Sequence, residues 1–216
     1  MDLSEKVRFL QTLPLFAGFT EDFIQQIAEK VHQRDLPKHT IIIEEGDEAD
    51  MLYIIYRGAV QVYHLNEDGK NIPLNLLKEK DVIGEMALLD GHYRSATVET
   101  VLPTSVLTMT AKDFRGILEK EPRFAIRLLT QLSNKIREID ERIIHKEERI
   151  PERTMHLLTL FSRATNSPTI HLTHEELADL IGITRPRLTE ALHKLEVEGK
   201  ITLSAHKITL IPEAQM

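Results

Sequence analysis

The chain has 216 residues, enough for one large domain or two small ones. Its 42% hydrophobic and 28% charged residues are the balance of a folded globular protein. It contains no cysteine, which excludes disulfides, thiolate metal sites, cysteine-ligated iron–sulfur clusters and cysteine nucleophiles. No apolar run approaches the roughly 18 residues needed to span a bilayer. The start, Met1-Asp2-Leu3-Ser4-Glu5, lacks the basic-then-apolar pattern of a secretory signal, so a cytoplasmic protein with no membrane partner is expected. A net charge of −7 opposes nucleic-acid binding, but the charge is uneven. Residues 151–216 carry seven Lys/Arg against eight Asp/Glu, a formal −1, and the first 150 hold the remaining −6. Any DNA contact must therefore be a local patch.

Up to about residue 20 the chain reads as a short amphipathic helix followed by Leu13-Pro14-Leu15-Phe16-Ala17-Gly18. Thr20 then caps a second helix with Glu21 and Asp22 in its first turn. From about Leu36 to Met109 the pattern changes to apolar runs of strand length: Ile41–Ile43, Met51–Tyr56, Ala59–Leu65, Pro73–Leu77, Ser95–Thr100 and Thr104–Met109. Asp68-Gly69 between two of them predicts a hairpin, since both residues tolerate positive φ. Many short strands with regular turns point to a barrel or sandwich.

A long helix is expected from Glu121-Pro122 to His145. Ala125, Leu129, Leu132, Ile136, Ile139 and Ile143 follow at alternating spacings of four and three, the seam of a coiled coil and a route to a homodimer. Ile126, Leu128 and Ile144 widen the stripe, as packing on the chain's own barrel would require. Pro151 breaks the pattern and predicts a hinge. Arg153 to Ala164 is a further amphipathic helix. Thr173-His174-Glu175-Glu176 is a capping box opening another, Gly182 turns the chain, and Thr184 caps a helix to about Glu198. Lys200–Leu203 and Lys207–Leu210 form a plausible hairpin, which completes a winged helix-turn-helix. The expected class is α+β: a β-barrel over 1–120, a dimerisation helix and hinge over 121–150, and a winged helix-turn-helix over 151–216.

The chemistry concentrates in Gly84-Glu85-Met86-Ala87-Leu88-Leu89-Asp90-Gly91-His92-Tyr93-Arg94-Ser95-Ala96. Strand alternation places Arg94 on the face of Ala96 and Val98, the apolar interior, where a guanidinium needs an anion. Gly84 allows close backbone approach, a helical turn over Glu85–Leu89 presents amide donors, and Arg94 adds a fork suited to phosphate. Glu85 is then left to accept from a sugar hydroxyl. An internal Glu85–Arg94 ion pair is the competing reading.

This stretch resembles the phosphate-binding cassette of cyclic-nucleotide-binding domains. With the C-terminal segment, the whole chain resembles the cyclic-AMP receptor protein/FNR family of bacterial transcription regulators. The resemblance implies a jelly-roll (double-stranded β-helix) barrel with a cyclic nucleotide as effector, cyclic AMP by default. It implies Glu85 on the ribose 2′-hydroxyl and Arg94 on the phosphate, with Gly84, Met86, Ala87 and Ser95 around it. The base would meet Ile139 and Asp140, where studied family members read adenine with a Thr-Ser pair, so cyclic GMP or a cyclic dinucleotide stays open. Arg185 would read guanine in double-stranded DNA. Pro186 and Glu190 depart from the residues of the best-known receptor, so a different operator is expected. Thr173, His174, Thr184, Arg187, Lys194, His206 and Lys207 are further candidate DNA contacts, and RNA polymerase is an implied partner. An enzyme on the barrel, a cupin for example, would need paired histidine ligands, and His64 and His92 stand alone, so no metal is expected. A haem-based gas sensor and a regulator needing no ligand are the remaining readings within the family.

Overall fold

The computed structural model describes residues 1–66, 69, 71–144, 150–204 and 207–211, without the side chains of 138–144 and 164. Ile139, Asp140, Asp68 and His206 therefore lie outside the described residues, Ile139 and Asp140 only in their side chains. The N-terminal helix α1 (Leu3–Gln11) is closed by an Asp2/Glu5 capping box and followed by a single 3-10 turn, Pro14–Phe16. Helix α2 (Glu21–Lys30) is capped by Thr20 as expected.

Among the described residues eight strands follow: β1 (His32–Leu36), β2 (Ile41–Ile43), β3 (Met51–Arg57), β4 (Ala59–Leu65), β5 (Asn71–Lys78), β6 (Val82–Ile83), β7 (Thr97–Thr100) and β8 (Thr104–Thr110). They form two four-stranded antiparallel sheets in the orders β1-β8-β3-β6 and β2-β7-β4-β5, an arrangement consistent with a jelly roll. Strand β3 shows why the apolar run Leu52-Tyr53-Ile54-Ile55 is unbroken. Tyr53 and Ile55 join Val60, Val98 and Val106 between the sheets. Leu52 and Ile54 point the other way, under α1, α2 and the later helices. Both faces are covered, so alternation is lost. Strands β1 and β6 escape a sequence reading: β1 is His-Gln-Arg-Asp-Leu on a sheet edge, and β6 has only two residues.

Helix α3 (Glu85–Asp90) interrupts the strands between β6 and β7, and α4 (Ala111–Lys120), capped by Thr110, leads to the long α5 (Pro122–Ile144). Phe124 and Leu128 of α5 are buried against Phe16 and Phe114. Ile126, Leu129 and Ile136, each 60–62% exposed, face away from the barrel. Leu128 therefore belongs to the barrel-packing stripe, as expected, and Ile126 does not: it extends the outward seam.

The C-terminal unit comprises α6 (Ile150–Thr165), β9 (Thr169–Ile170), α7 (His174–Ile181), α8 (Arg185–Val197), β10 (Ile201–Ser204) and β11 (Lys207–Leu210). Strands order as β10-β11-β9, the wing of the fold. Pro151 sits in the first turn of α6, where its missing N–H costs little, so the helix break precedes it. The unit's core continues into the barrel through Ala59, Val101 and Leu102. Gln61 Nε2 donates to the Asp179 carbonyl at 3.3 Å, and the turn glycine Gly182, at φ +68°, presses on Pro73 of β5. A Cβ at Gly182 would lie 2.8 Å from Pro73 Cγ.

Candidate ligand pocket and DNA face

The segment Gly84–Ala96 leaves the short β6, turns at Gly84 (φ +83°), runs through α3 and returns to β7. The positive φ favours glycine here, and a Cβ would lie 2.5 Å from Arg94 Nη1, so a side chain at this position would displace the guanidinium. Arg94 is buried, but by a loop and not by a strand: β7 begins only at Thr97. Its main chain is tied to the loop before β3, with its N–H donating to Asp47 O at 2.8 Å and its carbonyl accepting from Gly46 N at 2.9 Å.

The competing Glu85–Arg94 ion pair is not formed. Arg94 Nη1 donates to the Gly84 carbonyl at 2.9 Å and Nη2 to the Met51 carbonyl at 2.7 Å. The nearest carboxylate, Asp50, stands 3.7 Å away on a side chain 83% exposed. Of the five guanidinium N–H donors, three thus lack a protein acceptor among the described residues. A buried guanidinium held by two carbonyls, with donors to spare, is a positive site set for an anion.

Glu85, also buried, pairs instead with Lys135 of α5, 2.9 Å from its Oε1, and the same ammonium donates to the Val82 carbonyl at 3.1 Å. Lys135 read as one charged residue flanking a helical seam; nothing in the sequence says which way it turns. Glu85 Oε2 remains able to accept from a hydroxyl. Ala87 is buried beside the cluster, whereas Met86 and Ser95 are exposed at its edge. Lys135→Met should cost on the order of 1 kcal/mol by stranding the Glu85 carboxylate. Denaturant unfolding of Lys135→Met, Glu85→Gln and the double variant checks this: additive losses would show that the pair contributes nothing.

The C-terminal unit gathers a second group. Thr173 accepts from Glu176 N to close the expected capping box, and Pro186 occupies the first turn of α8. Thr173, His174, Arg185 and Lys207 line one recess of about 500 Å³ at the N-termini of α7 and α8 beside the wing. Thr184, Arg187 and Glu190 are exposed on or just before α8, and Arg187 has a partner within the chain. Lys194 stands apart: it lies near the C-terminal end of α8, in the cleft facing the barrel.

His174 Nδ1 is 3.1 Å from Thr189 Oγ1, whose hydroxyl donates to the Arg185 carbonyl at 3.0 Å. The ring therefore donates through Nδ1, and its Nε2 can donate to a phosphate only when protonated. Burial, then the charges of Arg185 and His193, hold the His174 pKa below its ordinary value of 6.5.

Residues 33–121 match the cyclic nucleotide-binding domain family, and residues 152–215 match the Crp-like helix-turn-helix domain family. The cyclic AMP receptor protein of Thermus thermophilus is 29% identical over 191 residues, covering 88% of each chain. The cAMP-activated global transcriptional regulator CRP of Salmonella typhimurium is 26% identical over 200 residues, 89% of this chain and 94% of that one. The crystal structure of the Thermus thermophilus catabolite activator protein superposes with a TM-score of 0.54 at 28% identity, over 92% of this chain and 93% of that one. The c-di-GMP-responsive regulator CLP of Xanthomonas campestris shares the fold, with a TM-score of 0.66 at 19% identity over 88% and 99% of the two chains. A ligand-binding jelly roll joined to a winged helix-turn-helix defines a class of DNA-binding transcription regulators, which are not enzymes. Within that class, the chain belongs to the cyclic-AMP receptor protein/FNR family.

Proposed function

We propose that the barrel binds a cyclic purine nucleotide, cyclic AMP by default, and that this ligand controls DNA binding by a homodimer paired along α5. The observation that carries the reading is Arg94, a buried guanidinium with three donors unfilled among the described residues, whose ion-pair partner there, Asp50, lies 3.7 Å away on an exposed side chain. Its partners in ligand binding are Glu85, through the free carboxylate oxygen, and the first amides of α3 with Gly84, Met86, Ala87 and Ser95. The base falls to Ile139 and Asp140 of α5. Ligand contacts on α5 that differ between two arrangements of the helices would shift the C-terminal units about the segment preceding α6. The outward apolar seam of Ile126, Leu129 and Ile136 supports pairing through α5.

Calorimetric titration with cyclic AMP, cyclic GMP and cyclic di-GMP tests the ligand and its identity together. A saturable heat for one of them is the expected result, and no heat with any would remove the proposal. Gel shifts with and without the bound nucleotide test control: full-affinity DNA binding in its absence would favour a regulator acting without a ligand.

On the DNA side, Arg185 reads a base edge, while Thr173, His174, Thr184, Arg187, Lys207 and His206 approach phosphates or bases, with Glu190 free to accept from a cytosine amino group. A phosphate near His174 would raise its depressed pKa, so DNA binding takes up a proton. Affinity should therefore rise several-fold as pH falls through the range just below 6.5. Stability has the opposite sign: a histidine whose folded pKa is depressed loses its contribution as pH falls below 6.5. Fluorescence anisotropy on labelled duplex across this range, with His174→Gln alongside, checks the first statement. Parallel pH profiles would disprove the role.

A further inference from the structure

A cleft of about 760 Å³ lies between the barrel and the C-terminal unit, lined by none of the residues of the barrel pocket or of the recess at Arg185. Its walls are the β3–β4 turn, the β5–β6 turn, one side of α6 from Pro151 to Arg163, and the C-terminal end of α8 with the turn that follows it. Six cations line it, Arg57, Lys78, Lys80, Arg163, Lys194 and Lys200, against three carboxylates, Glu79, Glu152 and Glu198. In a chain of net charge −7, this is a local excess of three positive charges. One of the carboxylates is already engaged, since Glu198 pairs with Lys200 at 2.7 Å. Arg57, Lys80 and Arg163 find no carboxylate among the described residues.

Lys80 carries a second sign. Its backbone sits at φ +77°, in the left-handed region where glycine or asparagine is the unstrained choice. Its N–H donates to Ile55 O at 2.9 Å, which locks the turn and keeps the side chain at the cleft. Strain retained at a charged residue marks a place where that side chain has a use. The volume exceeds what one phosphate needs and falls within the range of about 300–1,000 Å³ usual for small-molecule sites. Met155 and Leu160 add an apolar strip beside the cations.

We propose that this interdomain cleft binds a small oligophosphate, free or as the tail of a nucleotide, independently of the barrel pocket. Several cations on separate elements suit a ligand with at least two phosphate groups, because each phosphate can meet a different wall. Both structural units supply walls, so an occupied cleft holds the winged helix-turn-helix against the barrel in the arrangement seen here.

The test is equilibrium titration of the full chain with inorganic tripolyphosphate, at fixed ionic strength and without DNA. Saturable binding of one tripolyphosphate per chain is expected, weakened by roughly tenfold or more in R57Q/K80Q/R163Q. Cyclic-nucleotide binding and thermal unfolding should be unchanged in that variant. If the triple variant does not fold, Arg163→Gln alone, on the exposed surface of α6, should still show a several-fold loss. Arg94→Ala and Arg185→Ala should both bind tripolyphosphate as the wild type does. The proposal is overturned by absent wild-type binding, or by binding unchanged in the cleft variants. Loss of binding in Arg185→Ala or Arg94→Ala would also overturn it, by placing the anion at the DNA face or in the barrel. ATP binding more tightly than tripolyphosphate would identify a nucleotide as the source, and equal binding a free oligophosphate; both agree with the proposal.

Discussion

Arg94→Ala should raise the dissociation constant for the cyclic nucleotide by about a hundredfold or more. Two charge-assisted hydrogen bonds from one guanidinium fork to a phosphate are each worth roughly 1.5–3 kcal/mol when desolvated, and alanine removes both with the charge. The same side chain also ties the Gly84 and Met51 carbonyls, so a modest fall in thermal stability accompanies the loss. Arg94→Lys separates the two effects. It keeps a charge in the pocket but gives up the fork, and should bind with intermediate affinity. Calorimetry on the three proteins, with melting temperatures measured in parallel, decides the matter. Equal nucleotide affinity in wild type and Arg94→Ala would refute the pocket.

Arg185→Ala should cost about 1–3 kcal/mol on the cognate operator and relax preference at one position in each half-site. Arg185 opens α8 and lines the recess that also holds His174 and Lys207, so it stands at the end of the helix that a major groove would receive. Lys207→Ala, by contrast, removes a candidate phosphate contact and should weaken all sequences alike. Binding-site selection on randomised duplexes, run for wild type and both variants, reads the difference directly. Identical sequence preferences for Arg185→Ala and wild type would show that the guanidinium does not read a base.

Much of this was legible along the chain because the signals are local. The capping box at Thr173, the cap at Thr20, the glycine turns at Gly84 and Gly182, and the apolar runs of β3 and β4 each depend on neighbours in sequence, whereas Thr184 stands at the N-cap of α8 without a side-chain capping bond. The seam of α5 was visible in part: Leu129 and Ile136 face outward as its periodicity says, but Leu132 packs against the barrel core and Ile126 takes the outward side. The short edge strand β1 was not, because its apolar content is supplied by its partner β8. Nor was β6, where two residues cannot show a period.

The order of the two units, the class of each and the candidate pocket segment from Gly84 to Ala96 are written in local sequence. How those residues are wired depends on contacts distant in the chain. Arg94 is held by two carbonyls, Glu85 turns to Lys135 fifty residues away, and Lys194 lines the cleft facing the barrel, apart from the other candidate DNA contacts. The difference is one of range. Caps, turns and periodic faces are set by a few neighbouring residues. The partner of a buried charge depends on which distant element the fold brings within about 3 Å, and no local pattern encodes that.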